Sequence, residues 1–129
     1  MAAQTWDSAL ARARAVAGQV PYVSANIAVL TQLRKQWEGS IDMLASMFDL
    51  VIVPSGAGWP HGDDDVFVRM THDQRSSERV VKVALYRSRR RFSLAKPGGT
   101  AVVAGDVCTL AKAPAVVESF LYQIARPAA

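Results

Sequence analysis

The sequence predicts an α+β fold in which two N-terminal helices and one C-terminal helix pack on one face of an antiparallel sheet of about four or five sequential strands. Apolar residues recur at helical spacing in the first third of the chain, and β-branched runs fill the middle. A helical pattern returns at the end of the chain. Because consecutive strands are usually neighbours, we expect the sheet to be wound in sequence order.

The first and last helices are predicted from their end signals. Thr5 or Asp7 can cap the amide groups of a first turn, and Gly18 marks the end of that helix. Pro114 suits the first turn of the last helix, and Pro127 is predicted to end it.

The second helix carries the strongest periodic signal in the chain. It is predicted to start at Ser24 or Asn26 and to run to Phe48, with Trp37 buried. Gly39 lies inside this pattern, and a break or kink is an alternative at that point. The predicted apolar stripe, in steps of three and four residues, comprises Ile27, Leu30, Leu33, Trp37, Ile41, Leu44 and Phe48.

The strands are predicted from short β-branched runs and from period-two alternation. Residues 50–53 form a continuous apolar run, whereas residues 66–70 and 80–86 alternate. Residues 92–95 and 100–104 flank a Pro-Gly turn and are predicted to pair as a hairpin, with a bulge or strand end at Gly105–Asp106.

Length and cysteine usage bound the class of protein. The 129 residues fit one domain, so residues 1–129 are predicted to form a single α+β domain. Cys108 is the only cysteine, which excludes an internal disulfide and favours a reducing, cytoplasmic location. Its neighbours are apolar, so we expect a small buried hydrophobe rather than a nucleophile.

The uncharged stretches are too polar for a membrane span, so no membrane partner is predicted.

Positive charge is concentrated in one segment. Residues 66–96 contain nine basic and two acidic residues, whereas the whole chain has a net charge of +4. Arginine side chains at a hairpin end can fork onto phosphates or onto the carboxylates of an acidic protein. A solvated turn that protects the sheet edge is the alternative. The residues predicted to bind a polyanion or a partner are Arg79, Lys82, Arg87, Arg89, Arg90 and Arg91.

Residues 59–65, predicted to be a loop, are the other segment of interest, because they contain a histidine and three aspartates. His61, Asp63 and Asp65 are candidates for a small enzyme site, with His72 or Arg69 in reach. The aspartate spacing does not fit a calcium loop, and a solvated loop is the alternative. No metal site and no cofactor are predicted.

Tryptophan is enriched at contact surfaces, because its ring is large and its N–H can still be hydrogen-bonded. Trp59 lies between glycine and proline in the same loop, and it is therefore a candidate contact surface. A lid over the sheet edge is the alternative role for this side chain.

The sequence favours a non-enzymatic protein–protein interaction or assembly module that acts by self-association or by docking another protein. Nucleic-acid or polyanion binding through the arginine run is the first alternative. A small enzyme with a site around His61, Asp63 and Asp65 is the second. No convergent catalytic set is apparent, so no reaction and no catalytic residue are assigned.

Overall fold

The computed structural model describes residues 3–19, 23–44, 49–57, 66–72, 80–88 and 100–127. These residues form an α+β fold, which confirms the predicted class. No helix among them is both long enough and apolar enough to cross a membrane. The elements in chain order are β1 (Ala3–Gln4), α1 (Trp6–Ala17), α2 (Ser24–Trp37), β2 (Ile41–Leu44), β3 (Leu50–Pro54), β4 (Val66–His72), β5 (Val80–Ser88), β6 (Thr100–Thr109) and α3 (Ala113–Leu121).

The sheet is antiparallel and wound in sequence order. Each strand pairs with its neighbours in the chain, so the order is β1-β2-β3-β4-β5-β6. The five longer strands match the predicted four or five, and the two-residue β1 is added beside β2. The sequential winding was therefore predicted correctly.

The first helix begins where the sequence places it. The hydroxyl of Thr5 accepts a hydrogen bond from the amide of Ser8 at 3.0 Å, and Gly18 follows the last helical residue. The third helix has Pro114 in its first turn, as predicted, but it ends at Leu121 rather than near Pro127. The turn that follows Leu121 is tighter than an α-helical turn, because the amides of residues 123 and 124 donate to carbonyls three residues back.

The prediction that the second helix continues to Phe48 was wrong beyond Trp37. Gly39 adopts φ +93°, which reverses the chain direction, and the Ser40 amide donates to the Trp37 carbonyl at 2.9 Å. Residues 41–44 then form β2, which pairs with β3. Ile41 and Leu44 continue the helical spacing of apolar residues. Residues 41–44 nevertheless form a strand, because they pair with the apolar strand β3. Phe48 itself lies outside the described residues.

The prediction of a hairpin between residues 92–95 and 100–104 stays untested. β6 pairs along its length with β5, and residues 92–95 lie outside the described part of the chain. Gly105 and Asp106 are regular strand residues opposite Ala84 and Val83, and β6 continues to Thr109, so the bulge or strand end predicted there was wrong. The irregularity lies two residues earlier, where Val103 is inserted between the pairs formed by Ala104 and Val102.

The main core lies between the three helices and one face of the sheet. Trp37 is fully buried in it, as predicted, at the C-terminal end of α2. Its indole N–H donates to Glu118 Oε2 at 3.0 Å, and its ring meets Tyr122 edge-on with centroids 5.1 Å apart. Because Glu118 lies in α3 and Tyr122 directly follows it, Trp37 joins the two helices.

A smaller apolar cluster occupies the opposite face of the sheet. Leu44, Val51, Val53 and Phe67 are buried there, and the ring of Tyr86 stacks on Phe67 with centroids 5.2 Å apart. Alternate residues of β3 therefore belong to two different clusters, and four of its five residues are buried. The continuous apolar run at residues 50–53 reflects burial on both faces.

Replacement of Trp37 by alanine should lower the free energy of unfolding by about 3–5 kcal/mol. The substitution leaves a cavity between α2 and α3 and removes the donor that faces Glu118. Denaturant unfolding followed by circular dichroism measures the change. Lys35→Ala, at an exposed position of the same helix, is the control and should stay within about 0.5 kcal/mol of the wild type. A small effect at Trp37 would show that the junction is not part of the core.

Two glycine-to-alanine substitutions should differ in their effect on stability. Gly39→Ala should destabilise the protein by about 1 kcal/mol, because an L-residue is strained at φ +93° although the space around it is open. Gly18→Ala is the matched control. Gly18 has φ −64°, and a Cβ there would meet only an ordinary contact at 3.8 Å. Gly18→Ala should therefore be neutral or stabilising by thermal unfolding, and equal effects at both positions would contradict the argument.

Candidate functional site

The outer edge of β6 is the candidate functional site of the described fold. β6 is ten residues long and ends the sheet on one side, whereas the strand that ends it on the other side has two residues. In an antiparallel ladder, every second residue of an edge strand directs its N–H and C=O away from its partner. Among the described strands, β5 alone pairs with β6. In the part of the chain that the structure describes, no strand pairs with the outward backbone groups of β6.

Two exposed valines lie on this edge strand. Val103 is 49% exposed and Val107 is 55% exposed, the two largest exposures among the large hydrophobic side chains of the described residues. Strand alternation places Gly105 on the same side as Val107, whereas the alternation is interrupted at the inserted residue Val103. On the other side, Ala104 and Cys108 pack against the main core. The edge thus presents apolar side chains together with unused backbone groups.

The edge also carries two features that limit unspecific pairing. The insertion of Val103 interrupts the regular ladder, and Asp106 places an exposed charge in the middle of the strand. Bulges and charges are devices that edge strands use against aggregation. Residues 100–109 contain no lysine or proline, which are the other common devices. Pairing at this edge is therefore restricted but not blocked.

The structure describes two of the six predicted polyanion-binding residues, and it does not bring them together. Lys82 is exposed on the sheet face opposite the helices, in register with Val107. Arg87 is also exposed, but it lies five positions further along β5, so alternation places the two side chains on opposite faces, roughly 17 Å apart along the strand. The other members, Arg79, Arg89, Arg90 and Arg91, lie outside the described residues.

The predicted loop candidates also lie outside the described residues, namely Trp59, His61, Asp63 and Asp65. Arg69, which was considered as their neighbour, pairs instead with Asp49. Both its Nε, at 3.0 Å, and one terminal nitrogen donate to Asp49 Oδ2. Within the described ranges, no three histidine, cysteine or acidic side chains lie close enough to hold a metal ion. No local sequence pattern points to Asp49, because its partner Arg69 is twenty residues away.

A small cavity lies between α1, α2, β2 and β3. Its volume is about 40 Å³, and its polar lining residues are Arg12, Asn26 and Asp49. A cavity of about 10–15 Å³ is large enough to hold one water molecule. The space therefore suits a few waters or a small group rather than a nucleotide or an organic cofactor.

Cys108 is buried in β6, as predicted. Burial raises the pKa of its thiol, and the nearby carboxylate of Asp106 acts in the same direction. A nucleophilic cysteine requires the opposite, because the thiolate is the reactive form. The environment of Cys108 is that of a packing residue.

His72 should make the stability of the protein depend on pH. Burial lowers the pKa of its imidazole, and the carboxylate of Asp49 opposes this only in part. The folded state therefore binds fewer protons than the unfolded state between the lowered pKa and the ordinary value near 6.5. The corresponding stability is present above about pH 6.5 and is lost as the pH falls through that window.

Denaturant unfolding of the wild type and of His72→Gln at pH values above and below this window measures the effect. The wild type should lose more stability on acidification than His72→Gln does. Equal losses in the two proteins would show that the imidazole titrates alike in the folded and unfolded states.

Comparisons of the sequence and of the structure with known proteins identify no relative. No protein-family model matches the chain, no curated protein matches it, and no solved structure matches its fold. The function is therefore argued from the geometry of the described residues.

Proposed function

We propose that this chain is a protein–protein interaction or assembly module, and that the outer edge of β6 is its docking element. The observation that carries the proposal is the long edge strand with Val103 and Val107 exposed on it. A strand added to such an edge gains main-chain hydrogen bonds, and contacts with alternate side chains give specificity.

The energetics favour a moderate, selective interaction. Full burial of a valine side chain is worth about 1.5–3 kcal/mol, so covering the exposed half of Val103 and of Val107 contributes roughly 1 kcal/mol each. Each net hydrogen bond adds about 1 kcal/mol. The charge of Asp106 discriminates against partners that place an acidic residue opposite it.

The double variant Val103→Lys/Val107→Lys should abolish association. Lysines on an edge strand remove the apolar contact and oppose strand addition by charge. Static light scattering measures self-association, and affinity capture followed by mass spectrometry measures binding of other proteins. The matched control is Ala28→Lys/Thr31→Lys, which adds the same charge at exposed positions of α2 and should leave both readouts unchanged.

Circular dichroism establishes that both variants are folded. A wild-type chain that is strictly monomeric and captures no protein would contradict the proposal. So would a lysine variant of β6 that associates as the wild type does.

A further inference from the structure

We infer that the partner at this edge is an extended segment of another protein in which a basic residue and an apolar residue follow one another. The basic residue faces Asp106, and the apolar residue faces Val107. This inference rests on the proposed function, because it names the chemistry of the strand that docks on β6. It is carried by the charges on the two sides of residues 104–109, which pair regularly with β5.

Asp106 and Val107 point to opposite sides of the sheet. Asp106 lies opposite Val83, which is buried in the main core, so its carboxylate is on the side of the helices. Val107 lies opposite Lys82, and both of these side chains are exposed on the other side. Because side chains alternate along a strand, two consecutive residues of a docked strand meet Asp106 on one side and Val107 on the other.

The carboxylate of Asp106 is exposed and makes no ion pair with a cation in the described part of the chain. The ion pairs found there are those of Arg34 and Arg69. A docked strand covers the carboxylate, and a charge that loses its water without gaining a counter-ion is costly. A basic residue directly across from Asp106 supplies that counter-ion, because opposite charges in facing positions stabilise a pair of strands.

The side of the sheet that carries Val107 selects for a different residue. Val107 is 55% exposed, and contact with an apolar side chain of the partner removes part of this surface from water. Lys82 lies beside Val107 on the same side, so a basic residue of the partner at this position would approach a like charge. The preferred order is therefore a basic residue on the helix side and an apolar residue on the other side.

The strand β6 does not itself have the chemistry of such a partner. Residues 100–109 contain no lysine or arginine, so the β6 of a second copy offers no counter-ion to Asp106. The charge of Asp106 therefore favours a partner strand of different sequence.

Three synthetic peptides with capped ends test the inference on the full chain. Each peptide has seven residues in which valine and threonine alternate, beginning and ending with valine, and the central threonine is replaced by lysine, glutamine or glutamate. Fluorescence anisotropy of the labelled peptides measures Kd. The lysine peptide should bind about two- to ten-fold more tightly than the glutamate peptide, with the glutamine peptide between them. This difference should shrink as the salt concentration rises.

Reversal of the charge at position 106 is the decisive variant. Asp106→Lys should reverse the order of the three affinities, because its ammonium group would face the glutamate of the peptide. The matched control is Ala28→Lys/Thr31→Lys, which changes the net charge by the same amount at exposed positions of α2. This control should keep the order of the wild type, and circular dichroism establishes that both variants are folded.

A reversed order in Asp106→Lys, with the order unchanged in the control, supports the inference. Equal Kd values of the wild type for the three peptides, no binding of any peptide, or an unchanged order in Asp106→Lys overturns it. Self-association through Val103 and Val107 without peptide binding also overturns it and identifies a second copy as the occupant. The proposed function fails separately, since a chain that needs Val103 and Val107 to capture another protein, but shows no preference for lysine, is still an interaction module.

Discussion

The arrangement of helices on the sheet depends on the buried indole of Trp37. A tryptophan in the core contributes a large apolar area but also carries an N–H that must be hydrogen-bonded, and Glu118 of α3 supplies the acceptor. The same ring contacts Tyr122 at the end of α3. Directly after Trp37 the chain turns at Gly39 and enters the sheet. The Trp37 side chain thus links the end of α2 to α3, close to the turn at which the chain enters the sheet.

Most side chains of the central strands are buried in the two apolar clusters. Residues 50–53 of β3 are buried on both faces, and the helices cover one face of every strand from β2 to β5. Charged groups in this region, such as Arg69 and Asp49, pair with each other. Among the described strands, β6 is the one that exposes large hydrophobic side chains, Val103 and Val107.

Features that depend on a few neighbouring residues could be predicted from the sequence, whereas features that depend on contacts between distant segments could not. The cap at Thr5, the apolar run of β3 and the alternation in β5 are properties of a few neighbouring residues, and each prediction was confirmed. Residues 41–44 satisfied a helical period, but their conformation depends on pairing with β3, which no local pattern reveals. The candidate site on β6 could not be predicted from local patterns for the same reason. Val103 and Val107 are exposed because β6 comes last in the strand order, and that order is a property of the whole fold.

The unequal lengths of the two outermost strands have a consequence for the size of any assembly. A sheet with two long edges can add copies without end and grow into a filament. Among the described residues, β1 contributes two residues at its edge, whereas β6 contributes ten at the opposite edge. The stability of a ladder depends on how many residues pair, so the two edges are not equivalent as surfaces for strand addition. Strand addition at β6 would therefore not be repeated by an equivalent ladder at the described part of β1.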